Sequence, residues 1–282
     1  MTISIRAFSD ADLKTADAIV QSAFQRSASM LKELQLIRKL QSEGAFMAYD
    51  HETPVGMVAS LMYPTFAYIG PLAVHQEFQR QGIGFALMEH ILDWLDQQGV
   101  EQVLLDASPM GQPLYEKLNF AFRDQVYVLQ RQIGSPASQL PSDVQHLSHQ
   151  NLDLITASDK QAFGADRSSL LGALLDIYPE RGFLLRNGNG EINGYLIAQE
   201  KTIGPWVSQT RFDARLLLQA ALSLSFPGPV SVVVPGENSD ATEILYEFGF
   251  EITRVLRHMT RGPNRPTRQR KKIYGQASLS LG

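Results

Sequence analysis

The chain has 282 residues, more than a single compact domain commonly holds, so two domains are expected. A composition of 44% hydrophobic and 19% charged residues excludes a disordered or fibrous chain, and zero cysteines exclude disulfides, thiolate nucleophiles and cysteine-ligated metals. The net charge is −4, yet Arg261, Arg265, Arg268, Arg270, Lys271 and Lys272 follow one another with no acid between them, which leaves the body near −10 and disfavours nucleic acid gripped by the main fold.

In chain order, TISIRAF reads as a strand and DADLKTADAIVQSAF as a capped amphipathic helix, followed by a second helix around 28–42. The start lacks the cationic-then-apolar order of an export signal. AFMAYD, PVGMVASLMYP and FAYIGPLAV are β-rich runs separated by turn residues and predict an antiparallel meander. Ile83, Leu87, Ile91 and Leu95 fall four apart, so 82–98 is expected as a helix with one buried face. VEQVLLDA is a short strand, QPLYEKL a short helix and FAFRDQVYVLQRQ a closing strand. GSPASQLPSD, rich in Ser, Pro and Gly, reads as an interdomain linker. The most apolar stretch, LLLQAALSLSF at 216–226, is shorter than the about 20 apolar residues a bilayer requires, so a buried helix, a cytoplasmic chain and no membrane partner are expected.

Two pieces share one plan. YIGPLAVHQEFQRQGIGFALMEHIL and TIGPWVSQTRFDARLLLQAAL each place Ile-Gly-Pro in a strand, then a polar loop, then an apolar helix. VLLDASPMGQPLYEKLNF is echoed by VSVVVPGENSDATEILYEFGF. Repetition on this scale implies a duplicated fold. The expected organisation is a first domain over 1–133, a linker over 134–144, a degenerate copy over 145–262 and a basic tail over 263–282, with the tail solvated.

Chemistry concentrates in QRQGIG, residues 79–84. A helix N-terminus offers free N–H groups and the positive end of the dipole, and Gly82 and Gly84 let an anion come close while Arg80 adds a cation. A bare GxG also serves simply to turn a chain. No GxxxxGK[ST] occurs, which excludes a Walker loop. A dinucleotide reading would give Asp106 to a ribose, but Leu87 stands at the third glycine position and a polar loop separates strand from glycines.

These residues resemble the GCN5-related N-acetyltransferases. Gln79, Gly82 and Gly84 match that family's diphosphate loop, Q/R-x-x-G-x-G/A, between a strand ending PLAV and a helix, and LYEKLNF resembles its LYxKxGF motif with Asn119 in place of glycine. The resemblance covers about 130 residues, and FGADRSSLL, IGPWV and RHMTRG make the second half similar to the degenerate domain of tandem members. It implies an α/β (α+β) fold of two tandem domains, each a twisted, mixed, mostly antiparallel sheet flanked by helices. It implies acetyl-CoA as acyl-donor cosubstrate, no metal cofactor, and direct attack of a small-molecule or protein amine on the thioester. Gln79, Arg80, Gln81, Gly82, Ile83 and Gly84 would bind the diphosphate, and the amides of Leu72, Ala73 and Val74 would serve the pantetheine arm and the oxyanion. Pro71 suggests a bulge, with the strand splaying from QVLLD. Tyr115 would protonate the leaving thiolate, and Ser108 would either lie near the thiol or cap the next helix. No base stands out among His75, Asp106, Tyr68 and a water. In the copy, alignment of Gly249 and Phe250 with Asn119 and Phe120 puts Leu245 at the position of Tyr115, with Tyr246 nearby as a packing residue. His146 and His149 form an HxxH with no third ligand type beside it. Asp166 and Arg167 are expected in structural roles. The alternatives are a non-catalytic acetyl-CoA-binding regulator and a dinucleotide oxidoreductase.

Overall fold

A computed structural model describes residues 3–25, 28–132, 141–263 and 268–282. They pack as two units: the first takes the described residues of 1–121 with those of 259–264 and Leu281, the second those of 122–258 and 265–280 with Gly282.

The first unit contains β1 (Ile3–Ala7), α1 (Leu13–Phe24), α2 (Leu31–Leu40), β2 (Ala45–Asp50), β3 (Thr53–Tyr63), β4 (Phe66–Val74), α3 (Ile83–Gln97), β5 (Val103–Ala107) and α4 (Gln112–Lys117). β1 to β4 form the antiparallel meander, and β5 runs parallel to β4. Ile83, Leu87, Ile91 and Leu95 are each at most 1% exposed and pack on Val58, Ala67, Ile69, Val103 and Leu105. Burying such side chains stabilises by about 1.5–3 kcal/mol each, which fixes α3 on this face of the sheet. α1 covers β3 and β4 from elsewhere on the sheet, and its buried Asp17 accepts hydrogen bonds from Gln21 Nε2, Ser29 Oγ and the Met30 amide at 2.7–2.8 Å. Three donors satisfy a carboxylate that burial would otherwise penalise, and they join α1 to the start of α2.

Two irregularities shape β4. Its register with β3 shifts between Val58 and Ser60, opposite Gly70 and Pro71, where proline has no donor for the ladder. Its pairing with β5 consists of Ala67↔Val103 and Tyr68↔Leu104, after which the strands part, so the expected splay is present.

The second unit holds β6 (Ala121–Arg131, from Phe122 on), β7 (Val144–His146), α5 (Leu152–Phe163), α6 (Ser168–Ile177), β8 (Gly182–Arg186), β9 (Ile192–Ala198), β10 (Ile203–Ser208), α7 (Arg211–Leu222), β11 (Val230–Pro235), α8 (Ser239–Glu247), β12 (Glu251–Arg261, as far as His258) and β13 (Ile273–Gly275). Its five-stranded sheet has the order β13-β10-β9-β8-β7 and is antiparallel throughout. The core gathers Trp206, Leu217, Leu218, Val232, Ile244, Phe250 and Tyr274.

Two expectations change. The strand read as closing the first half, β6, pairs antiparallel with β11 and buries Val126, Val128 and Leu129 in the second unit. β5 instead has β12 as its neighbour in the sheet order, and the end of β12 belongs to the first unit. There Met259 is fully buried and Arg261 forms a bidentate pair with Asp96 at 2.8 and 2.9 Å. The compact units therefore do not follow a linear cut, and residues 134–140 of the expected linker lie outside the described residues. Second, residues 268–282 are not a solvated tail. Arg270, Tyr274, Ala277 and Leu281 are buried, because this segment supplies β13 and its flanks. Arg265 lies outside the described residues.

Candidate active site

The glycine loop leads directly into α3. Gly82 is its N-cap, with φ 84° and ψ −7°, and no side chain caps the helix. An added Cβ at Gly82 meets nothing within 4 Å, so glycine is required there by the left-handed backbone rather than by crowding. The first turn carries no acidic residue, and among the described residues the amides of Ile83, Gly84 and Phe85 have no acceptor. Arg80 and Gln81 are exposed, and Arg80 also has positive φ, 62°, an uncommon state for a non-glycine residue. Gln79 has a different job: its Nε2 donates to Val74 O at 3.1 Å and Ala23 O at 3.4 Å, which ties the loop to the end of β4 and to α1.

β4 presents alternate amides to its two sides. The His75 amide donates to Val55 O at 2.8 Å, so by the antiparallel alternation Ala73 also faces β3, whereas Leu72 and Val74 turn their amides to the gap beside β5. Of the three amides expected to serve a ligand, Ala73 is thus turned away. Gly84 lies where loop, strand and α4 converge: a Cβ there would sit 3.7 Å from Val74 Cγ2 and 3.8 Å from Leu114 Cδ2.

Tyr115, on α4, is half-buried with its ring edge-on to Phe120 at 6.0 Å. Its hydroxyl has no hydrogen-bond partner among the described residues, and burial pushes the phenol up to about 12. The group is therefore held as the neutral acid. Ser108 does not cap α4, whose N-cap is Gly111, but closes the turn before it: its Oγ accepts from the Gly111 amide at 3.1 Å, and its carbonyl accepts from Gly111 and Gln112 at 3.0 Å. Gly111 was not singled out in the sequence. A Cβ there would come within 3.0 Å of the Tyr115 ring and 3.4 Å of Ser108 Oγ, so its small size sets the ring position. Of the candidate bases, His75 sits at the far end of β4, edge-on to Phe78, with Nδ1 buried and without a partner. Tyr68 donates to Asp106 Oδ2 at 2.6 Å.

The copy in the second unit lacks these features. α7 is capped by Thr210, whose Oγ1 accepts from the Asp213 amide at 3.1 Å, and Asp213 puts a carboxylate in the first turn, where it opposes an anion. Leu245 does stand at the position of Tyr115: Phe250 N bonds Leu245 O at 3.0 Å as Phe120 N bonds Tyr115 O at 3.0 Å, with Gly249 and Asn119 both at positive φ. Leu245 is fully buried, while Tyr246 is 51% exposed and does not pack as expected. The space beside β10 is filled from within the unit: β13 pairs with β10 and contacts β11, Gln276 N donates to Val233 O at 2.8 Å, and Asn238 Nδ2 donates to Ile273 O at 2.9 Å. Asp166, just before the N-cap of α6, accepts from the Ser168 amide at 2.9 Å, which lowers its pKa, and Arg167 pairs with buried Asp159 at 2.8 Å rather than with Asp166. His149 meets Asp176 at 2.9 Å, while the His146 ring lies tilted against Phe183 at 5.6 Å.

In this α/β fold a splayed parallel strand pair lies in the same unit as a glycine-capped, open helix N-terminus. Residues 13–120 match the Acetyltransferase (GNAT) family, and residues 155–275 match an Acetyltransferase (GNAT) domain. The chain belongs to the GNAT acetyltransferase family and is an acyltransferase. It is 26% identical over 258 residues to the uncharacterized N-acetyltransferase YitH of Bacillus subtilis (strain 168), covering 88% of this chain and 89% of that one. It is 27% identical over 251 residues to the holothin acyltransferase of Pseudoalteromonas sp. (strain SANK 73390), covering 86% and 83%. Its fold matches the crystal structure of a proposed acetyltransferase from Pyrococcus horikoshii with TM-score 0.85 at 23% identity, covering 99% and 96%. Among the described residues no helix is long and apolar enough to cross a membrane.

Proposed function

We propose that the first unit is an acetyl-CoA-dependent N-acetyltransferase that acts on a primary amine of a small molecule or protein. The observation that carries this reading is the open N-terminus of α3, where Ile83, Gly84 and Phe85 offer amides with no acceptor among the described residues, with Arg80 and Gln81 exposed beside them. A diphosphate fits that donor set, since it is anionic and needs several N–H groups at close approach. The donor supplies an activated acyl thioester when bound; the rest of the work falls to the chain. Leu72 and Val74 turn amides into the gap, suited to the pantetheine arm and to charge developing on the acyl oxygen. Tyr115, which packs against the α3-side core and keeps its hydroxyl protonated, is suited to protonate the departing sulfur. Ser108 shapes the turn that presents Tyr115. The relative named holothin acyltransferase bears a name that specifies acyl rather than acetyl, so donor length belongs in the test.

Purified protein incubated with acetyl-CoA, longer acyl-CoAs and a panel of primary amines should release free thiol only when an amine is present. CoA binding with no thiol release above background for any amine would instead favour a regulatory acetyl-CoA-binding protein.

A further inference from the structure

One polar pair in the first unit has no counterpart in the copy. Tyr68 is 1% exposed, and its hydroxyl donates to Asp106 Oδ2 at 2.6 Å. A phenol donating to a carboxylate makes a charge-assisted bond that fixes the carboxylate's orientation. Tyr68 is also the last residue of β4 that pairs with β5, so the bond sits where the gap opens. Side chains alternate across a sheet. Ala67, Ile69, Val103, Leu105 and Ala107 all belong to the core under α3, which puts Tyr68 and Asp106 on the opposite face. Tyr115 packs with the α3-side core. The proton donor and the carboxylate therefore approach the gap from different faces.

The fold does not require this pair. In the second unit the parallel bridge Thr202↔Ser231 stands one residue before Ile203-Gly204-Pro205, as Tyr68↔Leu104 stands before Ile69-Gly70-Pro71. Thr202 thus replaces Tyr68, and two residues beyond the bridge Val233 replaces Asp106. The copy keeps the splay without phenol or carboxylate, and it has lost the open helix N-terminus and the Tyr115 hydroxyl as well. The Tyr68–Asp106 pair segregates with the chemistry, not with the architecture.

We propose that Asp106 binds the acceptor as an ammonium and takes its proton, with Tyr68 as the positioning residue, so that the acceptor class is a cationic primary amine. The assignment rests on the function proposed above. R–NH3+ gives one proton to Asp106, which passes it to water. The freed lone pair forms the C–N bond as the C–S bond breaks, the sulfur takes the Tyr115 proton, and the second nitrogen proton refills Tyr115 through solvent. The sum is ammonium plus thioester giving amide, thiol and one released proton.

The test compares Asp106→Asn, Tyr68→Phe and a Tyr68→Thr/Asp106→Val double variant that copies the second unit and so should fold. Thiol release is followed with butylamine, benzylamine and putrescine, which are cationic near neutral pH, and with hydroxylamine, which is mostly uncharged there. CoA binding is measured calorimetrically in parallel. Asp106→Asn should lower kcat/KM for an accepted alkylamine by about 100-fold near neutral pH, with the deficit shrinking as pH rises and the amine deprotonates unaided. Tyr68→Phe should cost about tenfold, and the double variant should match Asp106→Asn. Hydroxylamine transfer and CoA affinity should change little. Equal losses with hydroxylamine, an unchanged Asp106→Asn enzyme, or CoA binding with no alkylamine accepted would overturn the assignment. A wild-type chain that fails to bind CoA would overturn the proposed function itself, and the assignment with it.

Discussion

Tyr115 carries the sharpest residue-level expectation. Tyr115→Phe removes one oxygen from a ring whose hydroxyl has no partner among the described residues, so folding should be unaffected while turnover falls by about 100-fold and CoA affinity stays within twofold. Equal turnover with chemistry limiting would remove Tyr115 from the reaction. The phenol's raised pKa fixes two further signs. Its folded value, about 12, exceeds its unfolded value of 10.0, so its contribution to stability is full below the unfolded value and is lost as pH climbs from there toward 12. Over the range below 10.0 it stays protonated, and a pH–rate profile should show no alkaline limb from Tyr115 there. Gly82 and Gly84 should respond differently to alanine. Gly82→Ala places a Cβ on left-handed backbone, costs about 1–2 kcal/mol locally and should weaken CoA by about tenfold. At Gly84 a Cβ meets only ordinary contacts at 3.7 and 3.8 Å, so Gly84→Ala should bind CoA nearly as well.

Among the elements, α3 was legible in the sequence because its four buried residues repeat at helical spacing and glycines mark its start. The β2–β4 meander was legible for the same reason: alternating apolar runs end at turn residues. The amide selection on β4 was not, since Leu72, Ala73 and Val74 look alike until the register with β3 decides which N–H groups are already used. Gly111 was equally hidden, because its role lies in the distance to the Tyr115 ring. β13 escaped notice behind six cations: Arg270 is buried beside Asp124 at 3.4 Å, and the apolar Ile273, Tyr274, Ala277 and Leu281 after it fill interior space. Tyr274, 3% exposed with its ring tilted 36° against Trp206 at 5.2 Å, reports on this element. Tyr274→Ala should lower stability by about 3–5 kcal/mol, read as a shift in the urea midpoint at constant m. A shift within error would mean that β13 is dispensable.

For the molecule as a whole, the repeat read from the sequence is a pair of GNAT domains, of which the first alone keeps an uncapped, glycine-led helix N-terminus. The two IGP strands, the two helices after them and the two matching turns at Asn119 and Gly249 were visible as text. The pairing of β6 with β11 and the place of β12 next to β5 in the sheet order were not, because FAFRDQVYVLQRQ and EITRVLRHMTR do not differ enough in composition to say which strand each joins. One helix N-terminus, that of α3, is expected to hold a CoA diphosphate, because α7 is capped by Thr210 with Asp213 in its first turn and the cleft beside β10 is filled by β13. Calorimetric titration of the full chain with CoA tests it most directly. The expected result is one site per chain, weakened by about tenfold in Gly82→Ala and unchanged in Tyr115→Phe. Two sites per chain, no heat, or a site indifferent to Gly82→Ala would contradict it.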